Sequence, residues 1–238
     1  MRLHLLGING PYPASNGATS GYLLEAGGKL LQFDFGSGVL ARLTALCAPE
    51  SLDALFISHW HFDHTSDLLP LINRLQALGR TLPVYAAEDD SSDLRALVAA
   101  SPFLDVRGIS EGDVIDLSGV TVRVGPARHP VPGVGFRVEA EGKVLAYTGD
   151  TNTHPGLIDF YRGSDLLLAD GLFPVDAWAE NKPHLSARLA AELARDAGAS
   201  RLILTHLNPQ YSPALLLREA REVFPGAEVA EPGAVADL

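Results

Sequence analysis

The stretch Ser58-His-Trp-His-Phe-Asp-His64 constrains this chain more than any other segment. It places three histidines and an aspartate within positions 59–64, straight after the apolar run Asp53-Ala-Leu-Phe-Ile57. Imidazole nitrogens and carboxylate oxygens are the ligands that borderline divalent metals prefer. A short apolar strand ending in polar residues delivers such ligands to a sheet edge, where sheets of this kind bind their ligands. On extended backbone His59 and His61 point the same way, because side-chain direction repeats every second residue. Asp63 and His64 follow within one turn and face a second point in space. A single histidine here would read as a surface loop. The whole string at a strand end points to metal, and to two ions.

The 238 residues allow one large domain with a substantial core, and with no linker or low-complexity block residues 1–238 read as a single domain. No run approaches the roughly eighteen apolar residues of a membrane span, so no membrane association is expected. Met1–Asn9 reads as a first strand rather than a signal peptide. Cys47 is the sole cysteine, which excludes an internal disulfide and a thiolate metal site; its neighbours suggest a buried helix position. A cytoplasmic setting fits. A formal charge of −11, with 18 scattered basic residues, argues against a broad surface for nucleic acid, which depends on clustered lysine and arginine.

Apolar strand-like runs alternate with helical patterns in two halves. Strands are expected at Arg2–Leu6, Tyr22–Glu25, Lys29–Phe33, Ala54–Ile57 and Pro83–Tyr85. Helices are expected at Val39–Leu46, Ser66–Leu78 (Ser66 as N-cap, Gly79 at the end) and Ser91–Ala100. The second half gives strands at Asp113–Ile115, Val120–Val124, Gly135–Val138, Lys143–Tyr147, Leu166–Ala169 and Arg201–Leu204, with helices at Ser186–Ala197 and Ala214–Val223. This order implies an α+β fold, two sheets stacked face to face with helices outside.

Three later positions repeat the opening arrangement. His129 follows Val120–Val124 and a Gly-Pro turn, Asp150 ends Leu145-Ala-Tyr-Thr-Gly-Asp150, and His206 ends Leu202-Ile-Leu-Thr-His206. Each alone reads as an exposed histidine, a turn aspartate or a strand cap; together, four strand ends bring ligands to one sheet edge. The string His59-x-His61-x-Asp63-His64, with His129, Asp150 in Thr-Gly-Asp-Thr151 and His206 in Leu-Thr-His206, resembles the metallo-β-lactamase superfamily. It is similar in particular to the branch holding ribonuclease Z and cyclic-nucleotide phosphodiesterases. Gly21-Tyr-Leu-Leu-Glu25, Leu31-Gln-Phe-Asp-Phe-Gly-Ser-Gly38, Gly133-Val-Gly-Phe-Arg137 and His184-Leu-Ser186 support the match. The resemblance implies an αββα sandwich with a dimetal site at one edge. It assigns His59, His61 and His129 to the first ion, Asp63, His64 and His206 to the second, and Asp150 between them. Two divalent ions are implied, zinc first, with manganese or iron also compatible.

Two ions about 3.5–4 Å apart activate a shared water and clamp the oxygens of a phosphoryl or carbonyl centre. The resemblance makes Asp63 the orienter or base for the attacking hydroxide. It makes His184 the residue that protonates the leaving oxygen, work suited to an imidazole of ordinary pKa about 6.5. Asp34, in Asp-Phe-Gly, is a weaker candidate for supporting a ligand histidine. Asp170 stands where relatives often carry glutamate, which leaves its role open; His154 and His4 are expected to be structural. Ribonuclease Z enzymes carry a long tRNA-gripping arm, commonly between the third histidine and the bridging aspartate. Here 21 positions separate His129 from Asp150, too few for it. The reading is therefore a dinuclear-metal phosphodiesterase acting on a small or short phosphodiester, a cyclic nucleotide or an RNA 3′ end. The alternatives are an armless ribonuclease Z-type endonuclease, a carbonyl hydrolase of thioester, lactone or β-lactam, and a non-catalytic metal-binding scaffold. The resemblance extends to homodimers.

Overall fold

The computed structural model describes residues 1–238. The first sheet is built from β1 (Arg2–Gly7), β2 (Gly21–Ala26), β3 (Lys29–Phe33), β4 (Ala54–Ile57), β5 (Leu82–Ala87) and β6 (Leu104–Ile109). The second holds β7 (Val114–Asp116), β8 (Thr121–Gly125), β9 (Gly135–Ala140), β10 (Lys143–Tyr147), β11 (Leu166–Asp170), β12 (Leu202–Thr205) and β13 (Glu228–Val229). The last strand, β14 (Val235–Asp237), returns to the first sheet beside β1. Both sheets then run through three antiparallel pairings followed by three parallel ones, as two similar halves. This is the expected αββα arrangement.

Alternation within strands sorts the core. On β2 and β4, Leu24 and Phe56 face the second sheet, whereas Leu23 and Leu55 face the helices. Phe33, Phe56 and Phe136 meet between the sheets with centroids 5.0 to 5.7 Å apart, in stacked and edge-on pairs worth about 0.5–1.5 kcal/mol each beyond burial. Helices α1 (Val39–Leu43), α3 (Leu68–Leu78) and α4 (Asp93–Ala99) cover the first sheet through Val39, Leu71, Leu75 and Val98. Helices α6 (Ala187–Asp196) and α7 (Pro213–Arg221) cover the second, where α6 turns a run of alanines onto Leu167 and Leu202. The central parallel strands β4, β11 and β12 are buried on both faces, hence their unbroken apolar sequence. No helix is long and apolar enough to cross a membrane.

Several boundaries differ from the sequence expectation, each for a local reason. The first helix stops at Leu43, because the Ala45 and Leu46 N–H groups turn to the Arg42 and Leu43 carbonyls three residues back and tighten the chain into turns. Cys47 thus sits half-buried in a turn rather than inside a helix. Ser66 is not the N-cap of α3. The metal-type string itself starts a helical turn, α2 (Phe62–Thr65), so Ser66 already has helical backbone and its hydroxyl donates to the Phe62 carbonyl. Asp67 takes the N-cap position. The edge strands β6, β13 and β14 and the short helix α5 (Leu157–Phe160) were not expected. Ser186 does cap α6, accepting the Leu189 N–H at 3.2 Å. His4 lies half-buried, 2.6 Å from Glu25 Oε1, and His154 Nδ1 accepts the Gly156 N–H, both away from any cluster.

Candidate active site

The carboxyl ends of β3, β4, β10, β11 and β12 point to one edge of the sandwich, and each delivers a polar residue there. Asp34 follows β3, His59 follows β4, Asp150 follows β10, Asp170 ends β11 and His206 follows β12. His129 arrives on the loop after β8, and Asp63 and His64 ride on α2. Trp60 anchors the string between them: it is buried against the helix side of the first sheet and its Nε1 donates to the Ala87 carbonyl at 2.8 Å. With Trp60 turned inward, His59 and His61 share the opposite side.

Three overlapping ligand groups result, the third made of His129, Asp150 and His184. His59 Nε2, His61 Nδ1 and His129 Nε2 converge, with His61 Nδ1 3.0 and 3.1 Å from the other two. Asp63, His64, Asp150 and His206 form the second. Asp150 Oδ2 lies 3.2 Å from both His64 Nε2 and His206 Nε2, and 3.6 Å from His59 Nε2, so one carboxylate oxygen stands between the groups.

Residues behind the site set which nitrogen faces it. His64 Nδ1 bonds Asp34 Oδ2 at 2.8 Å, and His59 Nδ1 lies 3.1 Å from Ser58 Oγ, which itself donates to Asp34 at 2.8 Å. His206 Nδ1 meets Ser20 Oγ at 3.1 Å, and His129 Nδ1 meets the Pro183 carbonyl at 3.2 Å. A histidine that donates from Nδ1 keeps its lone pair at Nε2. Asp34 is fully buried and accepts also from the Ser58 N–H and from Tyr147 OH at 2.6 Å, joining the two sheets beneath the site. The sequence named Asp34 but missed Ser20, Ser58 and Tyr147. Serine and tyrosine at strand ends carry no signal until the fold shows what they touch.

The backbone is under tension here. Asp34 and His206 hold left-handed φ of 51° and 55°, each costing roughly 1–2 kcal/mol for a residue with a side chain. Gly10 packs so closely on His206 that a Cβ would come 2.0 Å from its ring, so only glycine fits. Gly149 has φ 59°, and its turn aims Asp150 inward.

Electrostatics put His59, His129, His206 and Asp150 into the protonation states a metal needs, whereas His64 must lose a proton to bind one. Burial lowers His59 and His206 well below the ordinary value and His129 to about 4, leaving neutral imidazoles. Burial opposes ionisation of Asp150, yet His206, His64 and His184 outweigh it and hold the carboxylate ionised. For His64 burial is outweighed by Asp150, Asp34 and Asp63, which raise it well above the usual value in the metal-free protein. Asp63 Oδ2, Asp150 Oδ1 and His206 Nε2 are buried with no hydrogen-bond partner. Buried polar atoms are otherwise nearly always satisfied. Neutral imidazoles, ionised carboxylate and orphaned donor atoms pointing inward fit divalent ions.

His184 stands beside this arrangement. Its Nδ1 bonds Asp170 Oδ2 at 2.7 Å, and its ring stacks on His206 at 5.0 Å. Asp170 is fully buried and fixed by the N–H groups of Thr151 and Leu172. Burial pushes His184 down, but Asp170 and Asp150 outweigh it and raise it to about 9. Its Nε2 has no protein partner. Asp170, whose role the sequence left open, is therefore the carboxylate that orients His184.

Two stacked mixed sheets with paired His/Asp groups at their shared edge define a class. The family model of the beta-lactamase superfamily domain matches residues 15–207, and the chain belongs to that family, one of metal-using hydrolases. The probable metallo-hydrolase YhfI of Bacillus subtilis is 32% identical over 95% of each chain. The crystal structure of YhfI superposes with a TM-score of 0.92, covering 99% of this chain and 98% of that one. Ribonuclease Z of Methanosarcina mazei is 27% identical over 97% of this chain and 96% of its own. The short form of human tRNase Z shares the fold, with a TM-score of 0.81 at 21% identity over 100% of this chain and 99% of its own.

Proposed function

We propose that this protein is a metal-dependent phosphodiesterase that cleaves a small or short phosphodiester, of the size of a cyclic nucleotide or an RNA 3′ end. His59, His61 and His129 would hold one divalent ion, Asp63, His64 and His206 a second, with Asp150 between. Such ions, when bound, polarise phosphoryl oxygens and lower the pKa of water at the site. Asp63, whose carboxyl burial raises to about 6 and whose Oδ2 is free, orients the attacking water and takes its proton. His184 offers a proton from Nε2 to the departing alkoxide, and Asp170 holds the ring in place for it.

The observation that carries the reading is the His184–Asp170 pair. An alcohol leaves a phosphodiester only as it gains a proton, so a positioned acid serves that reaction. A thiolate, whose conjugate acid has a pKa of about 8.5, leaves a thioester without one. The ribonuclease Z relatives favour a nucleic-acid substrate. Against a tRNA grip stand the loop and the β9–β10 hairpin, which fill the whole interval from His129 to Asp150, and the charge of −11. Metal-loaded protein, with manganese and zinc in parallel, should hydrolyse bis-p-nitrophenyl phosphate while leaving nitrocefin and a thioester intact. Turnover of the lactam or the thioester without the phosphodiester overturns the proposal.

A further inference from the structure

Fourteen of the chain's 18 lysines and arginines bond a carboxylate or a backbone carbonyl. The four that do not are Arg80, Arg128, Lys182 and Arg218. Two of these flank the candidate site: Arg128 adjoins His129, and Lys182 is two residues before His184. Both side chains are exposed.

Their backbones are fixed to one another. Asn152 is buried; its N–H donates to the Arg128 carbonyl at 2.9 Å and its Nδ2 to the Lys182 carbonyl at 2.6 Å. The Arg128 N–H donates to Thr151 Oγ1 at 2.9 Å, and His129 Nδ1 reaches the Pro183 carbonyl. Lys182 Nζ stands over the Phe173 ring, 5.4 Å from its centroid, and that ring lies 6.0 Å from His184. Thr151 and Asn152 follow Asp150 directly, so the segment that delivers the central carboxylate also fixes the backbone that carries both cations.

We propose that Arg128 and Lys182 form an anion subsite that takes a second phosphate of the substrate, next to the phosphodiester that is cut. The proposal rests on the phosphodiesterase reading and narrows it. A guanidinium fork and an ammonium together match a phosphate dianion. In a chain of charge −11 that pairs most of its cations, two left without a carboxylate on the segments that carry His129 and His184 attract an anion locally where the overall field repels one. The scissile phosphate is served by the metal ligands and His184, which leaves this pair for a different group. The substrate class is then a nucleotide ester carrying two phosphates or a short oligonucleotide end, in place of a cyclic mononucleotide with its single phosphate.

Calorimetric binding to the metal-loaded protein tests this without turnover. Adenosine 3′,5′-bisphosphate is compared with adenosine 5′-monophosphate, and a 5′-phosphorylated dinucleotide bearing a non-hydrolysable methylene-phosphonate linkage with the same compound lacking that 5′-phosphate. The wild type should prefer at least one two-phosphate ligand about tenfold, and whichever pair shows the larger preference identifies a free nucleotide or a nucleic-acid end as the source. The double variant Arg128→Gln/Lys182→Gln should reduce the preference to about twofold or less, whereas Arg80→Gln, which removes an unpaired cation on the loop after α3, should retain it. Equal binding of both members of each pair by the wild type overturns the subsite. So does an undiminished preference in the double variant, or an equal loss with Arg80→Gln. A preference seen without hydrolysis of any phosphodiester sustains the subsite and sinks the phosphodiesterase reading.

Discussion

Replacing Asp34 by Asn separates support of the metal groups from mere packing. Asparagine matches the side chain in size and tolerates the left-handed backbone at φ 51°, so the change is chemical rather than steric. One carboxylate oxygen accepts the Ser58 N–H; the other accepts from Ser58 Oγ, His64 Nδ1 and Tyr147 OH. An amide must turn its NH2 to one of these sides, so a donor faces a donor in either orientation. The Ser58 and Tyr147 hydroxyls can rotate, but the His64 ring cannot keep its tautomer without an acceptor. One unsatisfied buried donor costs about 1–3 kcal/mol, and weakened bonds to a former charge add to that. The sum, about 3 kcal/mol, corresponds to a drop in Tm of roughly 6–12 °C for a chain of this length. The feature particular to metal support is a second loss: affinity for the ion proposed at Asp63, His64 and His206 should fall about 10–100-fold, because an uncharged amide oxygen turned toward His64 Nδ1 orients and polarises the ring less than the carboxylate does. Competition against a chromophoric chelator, run beside a melting curve of the metal-free protein, reads both. A variant that melts early yet binds both ions with wild-type affinity would refute the support role.

His184→Ala should lower kcat by about 10²–10⁴-fold for an alkyl phosphodiester, whose alkoxide leaves only with a proton, and far less for bis-p-nitrophenyl phosphate, with metal content unchanged by mass spectrometry; loss of metal instead means that His184 is a ligand. Asp170→Asn should produce a smaller fall in kcat, with the rate deficit least for substrates carrying a p-nitrophenolate leaving group that departs without a proton. The proposed mechanism needs the acid form of His184, which, despite burial, Asp170 and Asp150 raise to about 9, so it predicts a kcat that holds at neutral pH and falls as pH rises through that value, with bound cations moving the fall downward. A pH–rate profile of His184→Gln that keeps the wild-type basic limb contradicts this. Ser186→Ala removes the acceptor for the Leu189 N–H and should cost about 1 kcal/mol, read as a shift of a few degrees in Tm.

Much of this was legible in the sequence because its signals are local. Apolar runs ending in His or Asp mark the parallel strands β4 and β12 and the strand β10, and the fold carries their ends to one edge. The αββα order follows from strands alternating with amphipathic helices such as α6. Elements defined by distant pairing were not legible. The strand β14 exists because Leu3 finds Ala236 across the length of the chain, and three residues carry no periodicity of their own. The same holds at the site: His59, His61 and His64 announce themselves, but Tyr147 bonds Asp34 from the other sheet, and Asp170 meets His184 across fourteen residues. The tightened turns after Leu43 and the helical turn inside the histidine string moved two helix boundaries, since local backbone geometry prevailed over the apolar pattern.

The most direct test is a titration of metal-free protein with manganese or zinc while hydrolysis of bis-p-nitrophenyl phosphate is followed. Two groups of ligands sharing Asp150 predict little turnover up to one ion per chain, a rise between one and two, and a plateau at two. Full activity at one ion per chain, or no phosphodiester turnover with two bound, contradicts the account.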